Sequence, residues 1–252
     1  MKMALQLWSV RDEANADFRN TARLVRNMGY EGVEIAGVKA LSYTQMGEIL
    51  NDYGLKPLSA HISLAAANDE KVLDELRNVG IKYAAFNGMG IAPDGISELC
   101  EKIARAGEKC REYGIYLMYH NHCYEFDKIN GEPGLDLVYG GVSPELLGAE
   151  IDTCWVQNSG MDPAEYIKRH TGRCPLIHIK DYRGEHNTES FTYTTLGNGE
   201  LELEGVLNAA AASGTKWLIV EQDDPESGFT PMQSAEDSAE FLLTGKYKSF
   251  ID

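Results

Sequence analysis

The sequence predicts an α/β fold, a single (β/α)8 barrel spanning residues 1–252. Three observations predict it. In the first half of the chain, amphipathic helical stretches end four times in glycine, at Gly29, Gly54, Gly80 and Gly114, and an apolar run follows each. The alternation continues to the C-terminus, giving eight apolar runs and about eight helices. The length also fits, since such barrels need about 250 residues in one domain. An open doubly wound sheet is the alternative. It would place a glycine-rich phosphate turn after the first strand, where this chain has Ser9-Val10-Arg11-Asp12-Glu13.

The elements are read in order. The apolar run 5–10 is the first strand. Phe18, Ala22, Val25 and Met28 have helical spacing over 17–28. Strands follow at 32–36, 57–62 and 83–87, separated by helices over 43–53 and 69–79. A longer helix over 95–113 leads to the fifth strand, which runs out at Tyr119-His120. The sixth strand is 146–152. A helix then opens with Asp162 as N-cap and Pro163 in its first turn. The seventh strand is 175–180. Residues 183–200 are polar and rich in Gly, Thr and Asn, a long loop and hence a functional candidate. A helix over 203–212, a strand over 216–221 and a helix over 234–243 complete the count.

Hydrophobic residues make up 43% of the chain, enough for a large core, and the formal net charge is −16. That charge argues against nucleic acid as a partner, because phosphate neutralisation needs an excess of Lys and Arg. It also argues against an anionic membrane surface. It says little about a small substrate, since a pocket can oppose the global sign. The first residues, Met1-Lys2-Met3-Ala4-Leu5, lack the apolar length and cleavage site of a secretory signal. No apolar run nears the roughly 20 residues of a membrane span. Cys100, Cys110, Cys123, Cys154 and Cys174 are odd in number and form no C-x-x-C pair. A reduced, cytoplasmic chain fits that usage.

Candidate chemistry gathers where strands end, which in a barrel is one face. Asp152, His178 and Glu221 close the sixth, seventh and eighth strands. Two carboxylates and an imidazole suit a divalent cation such as Mn²⁺, Co²⁺, Mg²⁺ or Zn²⁺. Each alone also reads as a solvated strand-end residue, but three consecutive strands ending alike favour a shared ion. The fifth strand supplies the fourth ligand from the stretch Tyr119-His120-Asn121-His122-Cys123-Tyr124-Glu125-Phe126. Glu125, folding back from the loop, is the favoured ligand over His120. His120 or His122 is then left near the substrate, or one of them only hydrogen-bonds the other.

Lys180 follows His178 by two and shares its face. It holds a substrate oxygen, moves a proton, or simply pairs with Glu150 or Asp152. Glu150 lies one layer down and needs a partner, with Lys180 the obvious one. His61, ending the third strand, suits a sugar hydroxyl. Trp8, ending the first, suits the apolar side of a sugar ring or the core. Arg11 contacts an anionic substrate group or pairs with Asp12 or Glu13. Gly88-Met89-Gly90 and Gly197-Asn198-Gly199 read as turns, not nucleotide loops.

Several stretches together resemble a known family. They are Gln6-Leu7-Trp8-Ser9-Val10-Arg11-Asp12, Gly29-Tyr30-Glu31-Gly32-Val33-Glu34, Ser59-Ala60-His61, Tyr119-His120-Asn121-His122 with Glu125-Phe126, His178-Ile179-Lys180-Asp181 and Val220-Glu221-Gln222-Asp223. In order and spacing the chain resembles the sugar phosphate isomerase/epimerase family, the xylose isomerase-like TIM barrels, over essentially its whole length. The resemblance implies one divalent metal, foremost manganese, held by a Glu, an Asp, a His and a second Glu from strands five to eight. Asp152, His178 and Glu221 match directly. Where many members carry a strand-five glutamate, this chain has His120, with Glu125 further on. The resemblance also implies that homodimers are common.

The expected function is a metal-dependent isomerase or epimerase of a sugar or keto-sugar, working through a metal-stabilised enediolate. Glu221, Glu125 or His120 moves the proton, Lys180 and His61 hold hydroxyls, and Trp8 and His122 line the substrate. The alternative in the same pocket is a lyase or dehydratase acting on a keto-sugar or 3-keto-glycoside. The alternative from another class is a sugar-binding protein without catalysis, which the intact Asp152, His178 and Glu221 set argues against.

Overall fold

The computed structural model describes residues 1–88, 91–185 and 188–252. Eight parallel strands close a barrel: β1 (Lys2–Gln6), β2 (Gly32–Ile35), β3 (Lys56–His61), β4 (Tyr83–Phe86), β5 (Tyr116–His120), β6 (Gly148–Asp152), β7 (Leu176–Ile179) and β8 (Trp217–Val220). Each strand pairs with the next in sequence, and β8 returns to β1 through Lys2↔Trp217 to Leu5↔Val220. Helices Phe18–Asn27, Tyr43–Asp52, Glu70–Asn78, Ile96–Glu112, Gly134–Gly141, Pro163–Arg169, Leu203–Ser213 and Pro231–Leu243 follow the strands in turn. Five of these helices carry side-chain N-caps, the expected Asp162 among them. Asp17, Asp69 and Asp162 accept first-turn N–H groups, and Ser42 and Thr230 build capping boxes with Gln45 and Gln233.

The outward faces of the strands and the inner faces of the helices form one large apolar core. A second cluster fills the lower barrel: Ala4, Leu58, Ala85, Met118, Leu176, Trp217 and Ile219. Gly148 sits beside it, and a Cβ there would collide with the Met118 sulfur and the Tyr116 ring.

Three expectations change. The first strand is residues 2–6, not 5–10; Leu7–Val10 is a 3-10 turn, followed by a short helix, Arg11–Ala16. The side chain of Gln6 accepts the Trp8 N–H (3.3 Å), and Ser9 Oγ accepts the Gln222 N–H (3.0 Å), so the apolar run leaves the strand. Helices Gly134–Gly141 and Thr153–Asn158 lie where no helix was expected. The first is glycine-rich and is made by packing: Gly141 lets it lie against Cys100 of the long helix. The loop 183–200 contributes Thr192–Thr194, which pairs antiparallel with Asp181–Arg183 beside the barrel mouth. Its far end is tied to Asp181, whose carboxylate accepts the N–H groups of Tyr182, Gly197, Gly199 and Leu201 at 2.9–3.0 Å. Gly197-Asn198-Gly199 is therefore a turn wrapped on a carboxylate. Met89 and Gly90 of the other glycine motif lie outside the described residues.

Candidate metal centre

The site follows from the two-residue period of the strands. Apolar Trp217 and Ile219 in β8 continue in phase as Glu221 and Asp223, and Leu176 in β7 continues as His178 and Lys180. Gly148 in β6 continues as Glu150 and Asp152, and Met118 in β5 as His120 and His122. The barrel interior thus changes from a dry floor to a polar top at its C-terminal end, where this fold keeps its functional groups.

His120, Asp152, His178 and Glu221 each bring one donor atom to within 4.8 Å of the others, and all four are buried. His61, His120, Glu150 and His178 form a second, overlapping group. Asp152 divides its labour. Oδ1 caps the helix Thr153–Asn158 through the N–H groups of Cys154 (3.0 Å) and Trp155 (3.3 Å), while Oδ2 has no hydrogen bond and lies 3.9 Å from His120 Nε2. His178 Nδ1 is 2.9 Å from Glu221 Oε2. Two imidazoles and two carboxylates, with the buried Nδ1 of His120 left without a hydrogen bond, fit a divalent cation of the Zn²⁺ or Mn²⁺ kind.

Sequence reasoning assigned no role to Glu34, and the structure makes it central. It is fully buried at the top of β2. Oε1 lies 2.7 Å from His178 Nε2 and 2.9 Å from His61 Nε2, and accepts the Gln6 amide at 2.7 Å; Oε2 accepts the Ser59 hydroxyl. The available signal was a carboxylate inside an otherwise apolar strand, Gly32-Val33-Glu34-Ile35. Burial alone would raise Glu34, but His61 and His178 outweigh it and hold the carboxyl well below the usual range. Burial likewise opposes the charge on His61, yet Glu34 and Glu150 push it up to about 10. His120 moves the other way: burial, with His178 and His61 nearby, lowers it well below the ordinary imidazole value. A neutral imidazole is what a metal ligand requires.

One pairing is corrected. Glu150 does not pair with Lys180; it faces His178 (3.3 Å) and His61 (3.6 Å), because it sits one layer below the ammonium. Lys180 meets the other expected carboxylate, Asp152 Oδ2 (3.1 Å), together with Glu221 Oε2 (2.8 Å) and Asp223 Oδ2 (2.8 Å). Burial disfavours both charges in the Lys180–Glu221 contact, but each stabilises the other, so the amine is raised and the carboxyl lowered.

Glu125 is also placed differently from the favoured reading. It belongs to neither donor group. Its carboxylate accepts the His122 N–H (2.8 Å) and the Tyr119 hydroxyl (3.3 Å), folding onto the outward-facing side of β5. Burial pushes it up to about 7. It ties its own loop, and His120, in phase with Met118, is the strand-five residue within the donor group. His122 stacks on Tyr124 at 5.5 Å and turns its ring to the cavity.

A cavity of about 520 Å³ opens above the centre, lined by Trp8, His61, Asn87, His122, Lys180, Glu221 and Asp223 among others. That size suits a small ligand. Trp8 is 39% exposed and stands in the turn after β1. Its indole is held between the Arg11 guanidinium, 4.5 Å from the ring centre, and Gly37, where a Cβ would touch it. Arg11 pairs with neither Asp12 nor Glu13. It donates to the Asp223 carbonyl (2.8 Å) and reaches Asp224 (3.4 Å), linking the loops after β1 and β8.

A closed parallel barrel with buried carboxylates and imidazoles at its C-terminal end defines a TIM-barrel protein with an enzyme-like centre. Residues 22–244 match the xylose isomerase-like TIM barrel family, and the chain belongs to it. The inosose dehydratase of Lacticaseibacillus casei is 26% identical over 163 residues, 59% of this chain. The chain spans about half of that relative's length, 54%. A sugar phosphate isomerase/epimerase from Parabacteroides distasonis superposes with a TM-score of 0.85 at 21% identity, over 100% of this chain and 95% of that one. The IOLI protein, whose crystal structure has a binding zinc atom, superposes with a TM-score of 0.75 at 17% identity, over 96% and 97%. These structural likenesses bear on the fold. No helix among the described residues is long and apolar enough to cross a membrane.

Proposed function

We propose that this chain is a divalent-metal-dependent enzyme that removes the proton beside the carbonyl of a sugar, keto-sugar or cyclic keto-polyol. The observation that carries the reading is the convergence of His120, Asp152, His178 and Glu221 beneath a sugar-sized cavity. A divalent cation held by these residues supplies Lewis acidity to substrate oxygens. The chain's own residues do the rest. Glu221 is kept ionised beside Lys180 and His178, lines the cavity, and is the carboxylate that accepts the proton. Lys180 and His61 offer cationic N–H donors to hydroxyl or developing oxyanion oxygens. Trp8 and His122 give the flat walls that take the apolar face of a ring.

Two fates share this step. Returning the proton gives isomerisation or epimerisation, a reading supported by the name of the Parabacteroides structure. Expelling a β-substituent gives a dehydratase or lyase, a reading supported by the inosose dehydratase relative. The zinc atom of the IOLI protein supports a metal in the centre, with manganese, cobalt and magnesium as the other ions to try.

The test is solvent deuterium entering candidate keto-sugars and inososes on enzyme loaded with each metal, with Asp152→Ala beside the wild type. Exchange that needs about one metal equivalent, and is lost with Asp152, upholds the reading. Release of water or an alcohol assigns elimination. Neither exchange nor product with any metal overturns the proton-abstraction reading.

A further inference from the structure

The ammonium of Lys180 stands among three carboxylates, and they are not equivalent. Glu221 Oε2 (2.8 Å) and Asp152 Oδ2 (3.1 Å) belong to the donor group that would hold a cation. Asp223 Oδ2 (2.8 Å) belongs to neither donor group. Asp223 lies two residues beyond Glu221, so it shares its face, but higher on the cavity wall, with its side chain 24% exposed. It is fixed independently of the centre. Arg11 holds its carbonyl at 2.8 Å. The rings of Trp155 and Tyr193, 5.4 and 5.8 Å from Nζ, extend a favourable cation surface along the same side.

An ammonium and a divalent cation that use the same two oxygens exclude each other, by like charge and by space. We propose that Lys180 competes with the metal for Asp152 and Glu221, and that Asp223 resolves the competition by keeping the ammonium at the cavity wall when the cation binds. Asp223 is thus a positioning residue for Lys180. It keeps the lysine charge inside the site, facing substrate, instead of losing it to solvent. This inference rests on the metal reading above.

The test is a double-mutant cycle read by Mn²⁺ affinity, from the electron paramagnetic resonance of free ion, on wild type, Asp223→Asn, Lys180→Met and the pair. Asp223→Asn is expected to weaken Mn²⁺ binding about tenfold or more, because the ammonium then has only the metal's own carboxylates. Lys180→Met is expected to tighten it by about the same factor. In the Lys180→Met background, Asp223→Asn should alter affinity within about twofold. A penalty that persists there shows Asp223 acting on the ion itself and overturns the proposal, as does an unchanged single variant. If Lys180→Met does not fold, the unaltered protein decides through the ¹⁵N-resolved ammonium signal of Lys180. A signal that shifts on adding Zn²⁺, but stays slow to exchange, upholds the proposal, and one that does not move overturns it. Wild type that binds neither ion defeats the metal reading itself.

Discussion

His178 Nε2 lies 2.7 Å from Glu34 Oε1, a contact between residues 144 positions apart. Nδ1 of the same ring faces Glu221 on the side of the donor group. One fully buried carboxylate therefore sets the orientation of the imidazole that would bind metal, and of His61 beside it. Carboxylates in this role fix an imidazole's tautomer and raise its basicity. Glu34→Gln is expected to weaken zinc binding about 10- to 100-fold, measured by calorimetry. Unchanged affinity would remove Glu34 from the centre.

Glu125 and Glu221 make a contrasting pair. Glu221 is the proposed base, so Glu221→Gln should slow deuterium exchange into substrate by about 10²- to 10⁴-fold. Glu125 only ties its loop, through the His122 N–H and the Tyr119 hydroxyl. Glu125→Gln is expected to keep a full metal equivalent by elemental analysis. Loss of the metal in that variant would return Glu125 to the ligand set.

Asp181 carries a structural load of its own. Four backbone N–H groups end on its carboxylate, and the turn 197–199 closes over it. Asp181→Asn presents a donor where two N–H groups need an acceptor, at a cost of about 3 kcal/mol. For a chain of this size that lowers the melting temperature by about 6–12 °C. A melting curve that matches wild type would show that the turn stands without it.

His170 gives stability a pH dependence away from the centre. Its ring lies between Tyr139 (4.7 Å) and Tyr166 (4.8 Å), and its Nε2 is buried with no hydrogen bond. Burial, helped by Arg173, lowers it from 6.5 to about 4. A lowered imidazole binds its proton more weakly folded than unfolded, so protonation favours unfolding. Its contribution is therefore intact above about pH 6.5 and lost as pH falls toward about 4, on the order of 2 kcal/mol allowing for its partial exposure. Denaturant titrations across that window should show a smaller loss in His170→Phe than in wild type. Equal losses would place the titrating group elsewhere.

The Asp162 cap, the glycine stops and the strand-end residues Asp152, His178 and Glu221 were legible in the sequence because each rests on a local rule. A cap is set by one side chain and the next three N–H groups, and a two-residue period says which residues share a face. The same rules misled at the first strand, where apolar content continued through residue 10. The Gln6 amide and, from a distant loop, the Ser9–Gln222 contact end the strand at residue 6. They were silent on the helix Gly134–Gly141, whose stability comes from packing and not from propensity.

The sequence by itself determined the barrel and three of the four residues that meet at its centre, because alternation and strand order convert directly into position. Tertiary structure alone decided which strand-five residue joins them, which carboxylate serves His178, and where Lys180 rests. Those choices depend on which of several carboxylates comes within about 3 Å of a given imidazole or ammonium across the barrel, and charge pairing carries no periodicity along the chain.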